Sequence, residues 1–156
     1  MQIYLALGAN LGDRYQAMHD AIQALDERIG PLVKCSSFYE TAPVDFESQH
    51  LFLNAAACFE TQLTVDEVLK ETQKIEKEMG RTQKSHGGIH YDRIIDIDLL
   101  ICGNLVVHTP DLDLPHPRMT ERQFVMEPMA EIAPQLLHPV KGQTMAHLYH
   151  DLCSTQ

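Results

Sequence analysis

Short apolar runs and periodic apolar positions along the chain predict a mixture of strands and helices. Strands are predicted where β-branched and other apolar residues cluster between turn residues, and helices where apolar residues recur every three or four positions. The predicted strands are Gln2–Leu7, Leu32–Tyr39, Phe52–Glu60, Arg93–Gly103 and Leu105–Val107. The last two would be joined by a two-residue hairpin turn at Gly103 and Asn104.

Two longer helices separate these strands. The first follows the glycine turn Gly8–Asp13 and is predicted from apolar residues on one helical face, which are Met18, Ile22, Leu25 and Ile29. The second begins with the capping box Thr64–Glu67 and ends at Gly80. Three short helices are predicted later in the chain, from Met119 to Val125, around Met129–Ile132 and from Met145 to Leu152.

The order of elements, strand-helix-strand-strand-helix-strand, is typical of the ferredoxin-like fold in the α+β class. We therefore expect one domain over residues 1–156, with an antiparallel sheet, two helices on one face, an extra hairpin strand and C-terminal helices. Two long polar loops, 40–50 and 81–92, interrupt the pattern. Such loops are often functional, and we expect them to gather near the other face of the sheet. The second loop could close as a lid or be a surface connection.

Composition narrows the possible functions. The net charge of −10 argues against a nucleic-acid-binding surface, and no apolar run is long enough to cross a bilayer. The chain starts directly with a predicted strand, so we expect no targeting peptide. The four cysteines match no metal-binding spacing and predict free thiols in a reducing cytoplasm. We expect a monomer that associates with neither nucleic acid nor membrane.

The most informative stretch is the predicted strand that contains Asp96 and Asp98. Because side chains on a strand alternate between faces, both carboxylates would lie on one face, roughly 6.6 Å apart. Two carboxylates beside an apolar sheet need cationic partners, and a pair of Mg²⁺ ions would suit their oxygen atoms. The alternative is a solvated edge strand or a salt-bridged pair. The opposite face would carry the core residues Ile95, Ile97, Leu99 and Ile101.

Cationic residues that could bind a polyphosphate flank this strand in sequence. Phosphoryl transfer requires metal ions and cationic donors around the transferred group, and arginine can bind two phosphate oxygens at once. His116, between two prolines, could hydrogen-bond a phosphate or a ribose, and its alternative role is to cap a turn. The candidate donors are Arg81, Lys84, Arg93 and Arg122.

Phe52 and Phe124 are the candidates for an aromatic binding site. Each ring lies close in sequence to a polar residue, Asn54 in the first case and Arg122 in the second. A flat polar heterocycle could therefore lie between the two rings and be hydrogen-bonded at its edge. The alternative is that both rings belong to the core.

Seven segments of the chain, taken in order, carry a family resemblance. They are Gly8–Arg14, Ser36–Pro43, Phe52–Ala56, Gln73–Arg81, Arg93–Leu100, Leu114–His116 and Arg122–Phe124. Together they resemble the hydroxymethyldihydropterin pyrophosphokinase family of the folate pathway. The resemblance spans nearly the whole chain, and the ordered set is specific although no single segment is.

The resemblance implies transfer of pyrophosphate from ATP to the hydroxymethyl group of 6-hydroxymethyl-7,8-dihydropterin, with release of AMP. It implies two Mg²⁺ ions held by Asp96 and Asp98, and a catalytic role for these aspartates together with Arg81 and Arg93. The residues that it places around ATP are Gln73, Arg81, Lys84, Arg93, His116 and Arg122. The residues that it places around the pterin are Thr41, Pro43, Val44, Phe52, Asn54 and Phe124.

In the implied reaction the substrate hydroxyl attacks the β-phosphorus in line with the departing AMP. A metal ion can acidify that hydroxyl, so no side-chain base is expected. Two places depart from the family pattern, since Ile89–Asp92 lacks a frequent tryptophan and Gln83 replaces a frequent arginine. Two other functions fit the residues, namely a metal-dependent phosphodiesterase or nuclease and a non-catalytic ferredoxin-like module that binds a small ligand.

Overall fold

The computed structural model describes residues 1–41, 51–80 and 94–155. Within these ranges the strands are β1 (Gln2–Ala9), β2 (Leu32–Cys35), β3 (Tyr39–Thr41), β4 (Phe52–Glu60), β5 (Asp96–Cys102), β6 (Val107–His108) and β7 (Asp113–Leu114). The helices are α1 (Arg14–Arg28), α2 (Val65–Glu78), α3 (Gln123–Ile132) and α4 (Met145–Ser154), with a 3-10 turn at Met119–Glu121. None of these helices combines the length and the apolar character that a membrane span requires.

β1 lies in the middle of a five-stranded sheet. It pairs with β4 on one side and with β5 on the other, and both pairs are antiparallel. β2 and β3 pair in turn with successive parts of the outer edge of β4, again antiparallel. The order of the main strands is therefore β2-β4-β1-β5. The predicted combination of helices with an antiparallel sheet is confirmed.

The predicted strand Leu32–Tyr39 is two strands in the structure. Where β2 ends, the Ser36 N–H donates to the Ala56 carbonyl and the Ser36 hydroxyl accepts from the Ala56 N–H, both at 2.9 Å. The next N–H, that of Ser37, donates instead to the carboxylate of Glu131 in α3, at 3.1 Å. A serine side chain therefore replaces a ladder hydrogen bond, which the apolar pattern does not reveal.

The predicted hairpin between the aspartate strand and Leu105–Val107 is wrong. A turn is present at Gly103, where φ is 54°, but β6 beyond it pairs with β7 in a separate two-stranded sheet. The outer edge of β5 receives a different segment, because the His116 N–H donates to the Leu100 carbonyl at 2.8 Å. At the outer edge of β5, the position predicted for Leu105–Val107 is therefore taken by residues that follow β7.

Two apolar cores lie on opposite faces of the sheet. α1 and α2 cover one face, around Leu5, Leu25 and Phe59. α3 and α4 cover part of the other face, around Met126 and Met129. The predicted pair of helices on one face is present. The second face, where we expected loops to gather, carries a helical layer as well.

The C-terminal helices differ from those predicted. One continuous helix, α3, replaces the two short pieces, although Pro128 lies within it. Apolar residues before and after this proline, among them Val125, Met129 and Ile132, are buried together. Their shared burial explains why the helix continues through Pro128, because packing of an apolar face outweighs local propensity.

A β-bulge shifts the alternation of β5 next to the aspartates. Leu5 lies opposite Leu99, whereas Tyr4 lies opposite Ile101, so Leu100 is the extra residue. Because of this shift, Leu100 and Ile101 both belong to the core beneath α3. The prediction that Ile101 shares a face with Leu99 is therefore wrong. The other three predicted core residues of this strand are buried beneath α1 and α2.

A buried carboxylate joins α2 to β5. Glu76 is only 5% exposed, and its Oε2 accepts a hydrogen bond from the Ile97 N–H at 2.8 Å. Ile97 lies between Asp96 and Asp98 in the strand. The helix therefore holds the stretch of backbone from which both aspartate side chains extend.

We expect the substitution Glu76→Ala to lower the free energy of unfolding by about 1–3 kcal/mol, because the Ile97 N–H would lose a charged acceptor in a buried position. Urea denaturation measures this difference. Glu71→Ala is the matched control on the same helix, since the Glu71 carboxylate makes a long ion pair, at 3.8 Å, with the exposed Lys74. It should change stability by less than about 0.5 kcal/mol. Equal losses in the two variants would contradict this account of Glu76.

Candidate active site

The predicted site residues of β4 and β5 flank Ala6 and Gly8 of β1. Of these two, Ala6 carries only a methyl group and Gly8 has no side chain. Gly8 lies opposite both Asn54 of β4 and Asp96 of β5, and Ala6 lies opposite Asp98. Directly opposed residues of antiparallel strands point to the same face of a sheet. This is the face that α3 partly covers, because Ala6 packs against the core beneath that helix. The polar side chains therefore border a shallow floor made of backbone.

Gly8 is the residue that keeps this floor low. A Cβ atom at this position would lie 3.0 Å from Asn54 Oδ1 and 3.7 Å from Phe52 Cδ1. The backbone of Gly8 does not require glycine, since its φ lies outside the left-handed region. Glycine here leaves space above the strand. In the sequence, Gly8 is notable only as the start of a turn and of the family segment Gly8–Arg14.

Thr41, Phe52 and Asn54 form one wall of the candidate site. Thr41 of β3 lies opposite Phe52 in the register of the sheet, and the Asn54 side-chain amide donates to the Thr41 hydroxyl. Asn54 is buried and Phe52 is half-buried. Three residues predicted for the same ligand are thus neighbours on adjacent strands.

Arg122 and Phe124 lie at the beginning of α3. The Arg122 Cζ atom is 5.7 Å from the centre of the Phe124 ring, within the range of a cation–π contact. Phe124 also packs against the core beneath α3, and both side chains are half-buried. The second predicted ring therefore adjoins one of the predicted phosphate-binding cations.

His116 lies along the outer edge of β5. Besides its backbone bond to Leu100, its Nδ1 atom accepts a hydrogen bond from the Arg118 N–H at 3.2 Å. A neutral imidazole whose Nδ1 accepts must carry its proton on Nε2. The ring can therefore offer an N–H donor to a ligand without being charged.

The surroundings of His116 favour this neutral form. Burial lowers the pKa of its imidazole below the ordinary value, and the positive charges of Arg122 and Arg118 lower it further. Asp113 and Asp96 oppose the shift more weakly. Arg122 and Asp96 therefore both lie close enough to affect the charge of His116. The three residues come from separate parts of the chain.

Arg14, at the start of α1, holds two strand ends of the site together. Its Nη1 donates to the Leu51 carbonyl at 3.0 Å, and its Nη2 bonds to Glu40 Oε2 at 3.1 Å. Glu40 precedes Thr41, and Leu51 precedes Phe52. The sequence offered no signal for this role, because the partners lie 26 and 37 residues from Arg14.

Not every predicted residue falls on this face. Gln73 is exposed on α2, which packs against the opposite face of the sheet. The residues Pro43, Val44, Arg81, Lys84 and Arg93 lie outside the described residues, as do Gln83, Ile89–Asp92 and most of the two long loops. Their roles stay predictions.

Asp96 and Asp98 suit a hard divalent cation by their chemistry. Both are half-buried, and their register places them on one face of β5. Among the residues that the structure describes, no group of three or more His, Cys, Asp and Glu could hold a metal ion. A cation bound by the two aspartates would need further oxygen ligands from phosphates and water, which is how Mg²⁺ is commonly held.

One face of the antiparallel sheet therefore carries two carboxylates, nearby cations and an aromatic wall, and these are the groups that an enzyme needs to transfer a phosphoryl group to a small molecule. Residues 4–134 match the family model of 7,8-dihydro-6-hydroxymethylpterin-pyrophosphokinase, and the chain belongs to this family. The resemblance seen in the sequence is confirmed.

Two bacterial relatives are both named 2-amino-4-hydroxy-6-hydroxymethyldihydropteridine pyrophosphokinase. The Porphyromonas gingivalis protein is 49% identical over 138 residues, which cover 88% of this chain and 93% of the relative. The Bacillus subtilis protein is 43% identical over 134 residues, which cover 85% of this chain and 78% of the relative. At this level of identity the likeness extends beyond the fold to the kind of enzyme.

Solved structures agree at the level of the fold. The crystal structure of Plasmodium falciparum HPPK-DHPS with pteroate superposes with a TM-score of 0.79 at 14% identity. The match covers 98% of this chain but only 44% of that protein. This chain therefore spans less than half the length of that structure.

We expect the pKa of His116, followed by NMR titration, to lie below its ordinary value of 6.5. Arg122→Ala should raise this pKa, because it removes a positive charge that disfavours the imidazolium. Lys141→Ala is the matched control, since burial and then the Lys141 charge lower the pKa of His138 in another part of the fold. It should raise the pKa of His138 and leave that of His116 unchanged. A His116 pKa above 6.5 would contradict the electrostatic description.

Proposed function

We propose that this chain transfers pyrophosphate from ATP to the hydroxymethyl group of 6-hydroxymethyl-7,8-dihydropterin and releases AMP, as a step of folate biosynthesis. The observation that carries this proposal is the family match over residues 4–134, together with relatives at 43–49% identity that are named for this activity. The grouping of the described site residues other than Gln73 on one face of the sheet supports it.

The pterin would lie over the floor at Gly8. Its two faces would stack on Phe52 and Phe124, and its polar edge would exchange hydrogen bonds with Asn54 and Thr41. The bond between the Asn54 amide and the Thr41 hydroxyl supports this role, because it orients both groups before a ligand arrives. Two residues outside the described ranges, Pro43 and Val44, would complete the edge through their backbone.

ATP would lie on the side of the site that faces β5 and the start of α3. The Nε2–H of His116 and the guanidinium of Arg122 would donate to phosphate oxygens, which suits arginine because of its forked geometry. The shared electrostatic neighbourhood of these residues and Asp96 supports the placement. The other proposed ATP ligands are Gln73, Arg81, Lys84 and Arg93.

Asp96 and Asp98 would hold two Mg²⁺ ions. When bound, such ions neutralise phosphate charge and lower the pKa of a coordinated hydroxyl. Asp96 and Asp98 would present their carboxylate oxygens to these ions beside the polyphosphate. Arg81 and Arg93 would stabilise the negative charge that develops on the transferred group. We expect no side-chain general base.

We also propose a fold type, a domain arrangement, a cellular location and an oligomeric state for this enzyme. We infer a ferredoxin-like arrangement, because the order β2-β4-β1-β5 interleaves two βαβ units, one through α1 and one through α2. Both cores share the same sheet, which supports a single domain over residues 1–156. The four free cysteines favour a reducing, cytoplasmic location. We propose that the enzyme acts as a monomer.

With protein, ATP, Mg²⁺ and the pterin mixed, we expect equal amounts of AMP and pterin diphosphate, measured by chromatography. Asp96→Ala and Asp98→Ala should each lower kcat/KM by several orders of magnitude, because metal and electrostatic stabilisation dominate such reactions. Asp111→Ala, at an exposed position between β6 and β7, is the control and should retain full activity.

Each other outcome of this assay points to a different function. Release of ADP, or hydrolysis without the pterin, would favour a phosphodiesterase-like enzyme over the proposed transfer. Pterin binding without turnover, unaffected by either aspartate substitution, would identify a non-catalytic binding module.

We expect Gly8→Ala to weaken pterin binding while the protein stays folded. The added methyl group would press on the Asn54 side chain, and the backbone conformation at this position accepts alanine. Calorimetric titration should show a loss of affinity of roughly tenfold, equivalent to about 1.4 kcal/mol.

Gly103→Ala provides the opposite control for this variant. At Gly103 there is open space for a Cβ, but φ is +54°. That variant should lose about 1 kcal/mol of stability and keep its affinity for the pterin, because the cost is backbone strain remote from the site. If both variants bound the pterin as the unchanged protein does, the floor at Gly8 would not be part of the pterin site.

A further inference from the structure

Three hydrogen-bond donors from one short segment converge on the Glu131 carboxylate. The Ser37 N–H and the Ser37 hydroxyl each donate to it at 3.1 Å. The Tyr39 hydroxyl donates to the same carboxylate. The donors lie 92 to 94 residues before Glu131 in the chain. Burial of the Glu131 carboxylate favours its neutral form, but the bonds from Tyr39 and Ser37 outweigh it and lower the pKa. Glu131 is therefore a charged acceptor that ties β3 to the last turn of α3.

One end of this connection leads to the strand wall of the site. Tyr39 lies opposite Asn54 in the sheet, and Thr41, two residues further along β3, lies opposite Phe52. Tyr39 and Thr41 therefore point to the same face. A side chain that holds Tyr39 in place therefore also fixes the position of Thr41, two residues further along β3, relative to α3.

The other end leads to the helix wall. Phe124 and Glu131 are seven residues apart in α3, which is close to two full turns, so both project from nearly the same side of the helix. Along the axis they are separated by roughly 10 Å. A rigid helix fixed at Glu131 by β3 therefore sets where the Phe124 ring lies relative to the strands.

We propose that Glu131, through Tyr39, is a positioning residue that fixes the width of the pterin slot between β3 and α3. It does not touch the substrate. It joins the wall that carries Thr41 and Asn54 to the helix that carries Phe124, so that the ring and the polar groups meet the pterin at the correct spacing. This inference rests on the proposed function.

The helix has other attachments, so loss of this one should not undock it. The Lys34 ammonium donates to the Ile132 carbonyl at 3.4 Å, and the buried side chains Met126 and Met129 anchor α3 from below. Variants of Glu131 should therefore fold, with a slot of less defined width.

The test compares Glu131→Leu, which removes the acceptor, and Tyr39→Phe with the unchanged enzyme in steady-state kinetics. Each variant should raise the KM for the pterin by roughly fivefold to tenfold, the size expected for one typical hydrogen bond. The KM for ATP and kcat should stay within about twofold, because only one substrate uses the slot. The double variant should be no worse than Glu131→Leu alone, since Tyr39 acts through its bond to Glu131.

Tyr149→Phe is the matched control. The Tyr149 hydroxyl donates to Glu127 Oε2 at 3.2 Å, so it is also a tyrosine–glutamate bond to α3, but it comes from α4. Its removal should lower Tm about as much as Tyr39→Phe does and leave the KM for the pterin unchanged. A purely structural role of Glu131 predicts instead that the Tyr39 and Tyr149 variants behave alike.

The outcomes separate this inference from the function on which it rests. If the unchanged enzyme forms no pterin diphosphate, the proposed function fails. If it does, and the variants of Tyr39 and Glu131 keep its KM for the pterin, or lose affinity for ATP and the pterin equally, the positioning role is overturned.

Discussion

The pairing of β1 between β4 and β5 is the interaction on which the candidate site depends. Because side chains alternate along a strand, this pairing sends Leu5 and Leu7 into the core under α1 and α2 and turns Ala6 and Gly8 to the other face. Small residues in the middle leave a depression that larger side chains of the neighbouring strands border. The same alternation that builds a dry core therefore also builds a floor for a ligand.

The residues around this floor must bind negative charge although the protein itself is acidic. The chain carries a net charge of −10, and its proposed substrate is a polyanion. Positive charge must therefore be concentrated locally, as it is where Arg118 and Arg122 adjoin His116. Burial, and then repulsion from these arginines, lowers the pKa of the imidazole and favours its neutral form in the free protein. A triphosphate bound nearby would oppose this shift, because negative charge favours the imidazolium.

The sequence predicted those parts of the fold that depend on local pattern. The limits of β4 and the capping box of α2 follow from apolar runs and from hydrogen bonds within a few residues, and both are present as predicted. The prediction failed where a distant group intervenes, as at Ser36 between β2 and β3. It also failed at the bulge of Leu100, because the bulge depends on the register with β1.

In the candidate site, too, residues marked by local pattern were predicted, and residues that act through distant contacts were not. Asp96 and Asp98 stand out in the sequence because charge interrupts an apolar run, and the family resemblance supplied most of the remaining candidates. Arg14 and Glu76 lie within segments of that resemblance but were not candidates, and Glu131 lies outside those segments. The partners of all three are distant in the chain, so the sequence does not reveal their contacts. Residues that support a site are therefore harder to predict than residues that form it.

Gly8 has a consequence for inhibitors of this enzyme. A compound that reaches the floor of the pocket would contact main-chain atoms of β1, which no substitution can remove. Any side chain introduced there to repel the compound would crowd Asn54 and Phe52. If the floor binds the pterin as proposed, such a side chain would hinder the natural substrate as well. Drug resistance should therefore arise less readily against contacts with this strand than against contacts with the surrounding side chains.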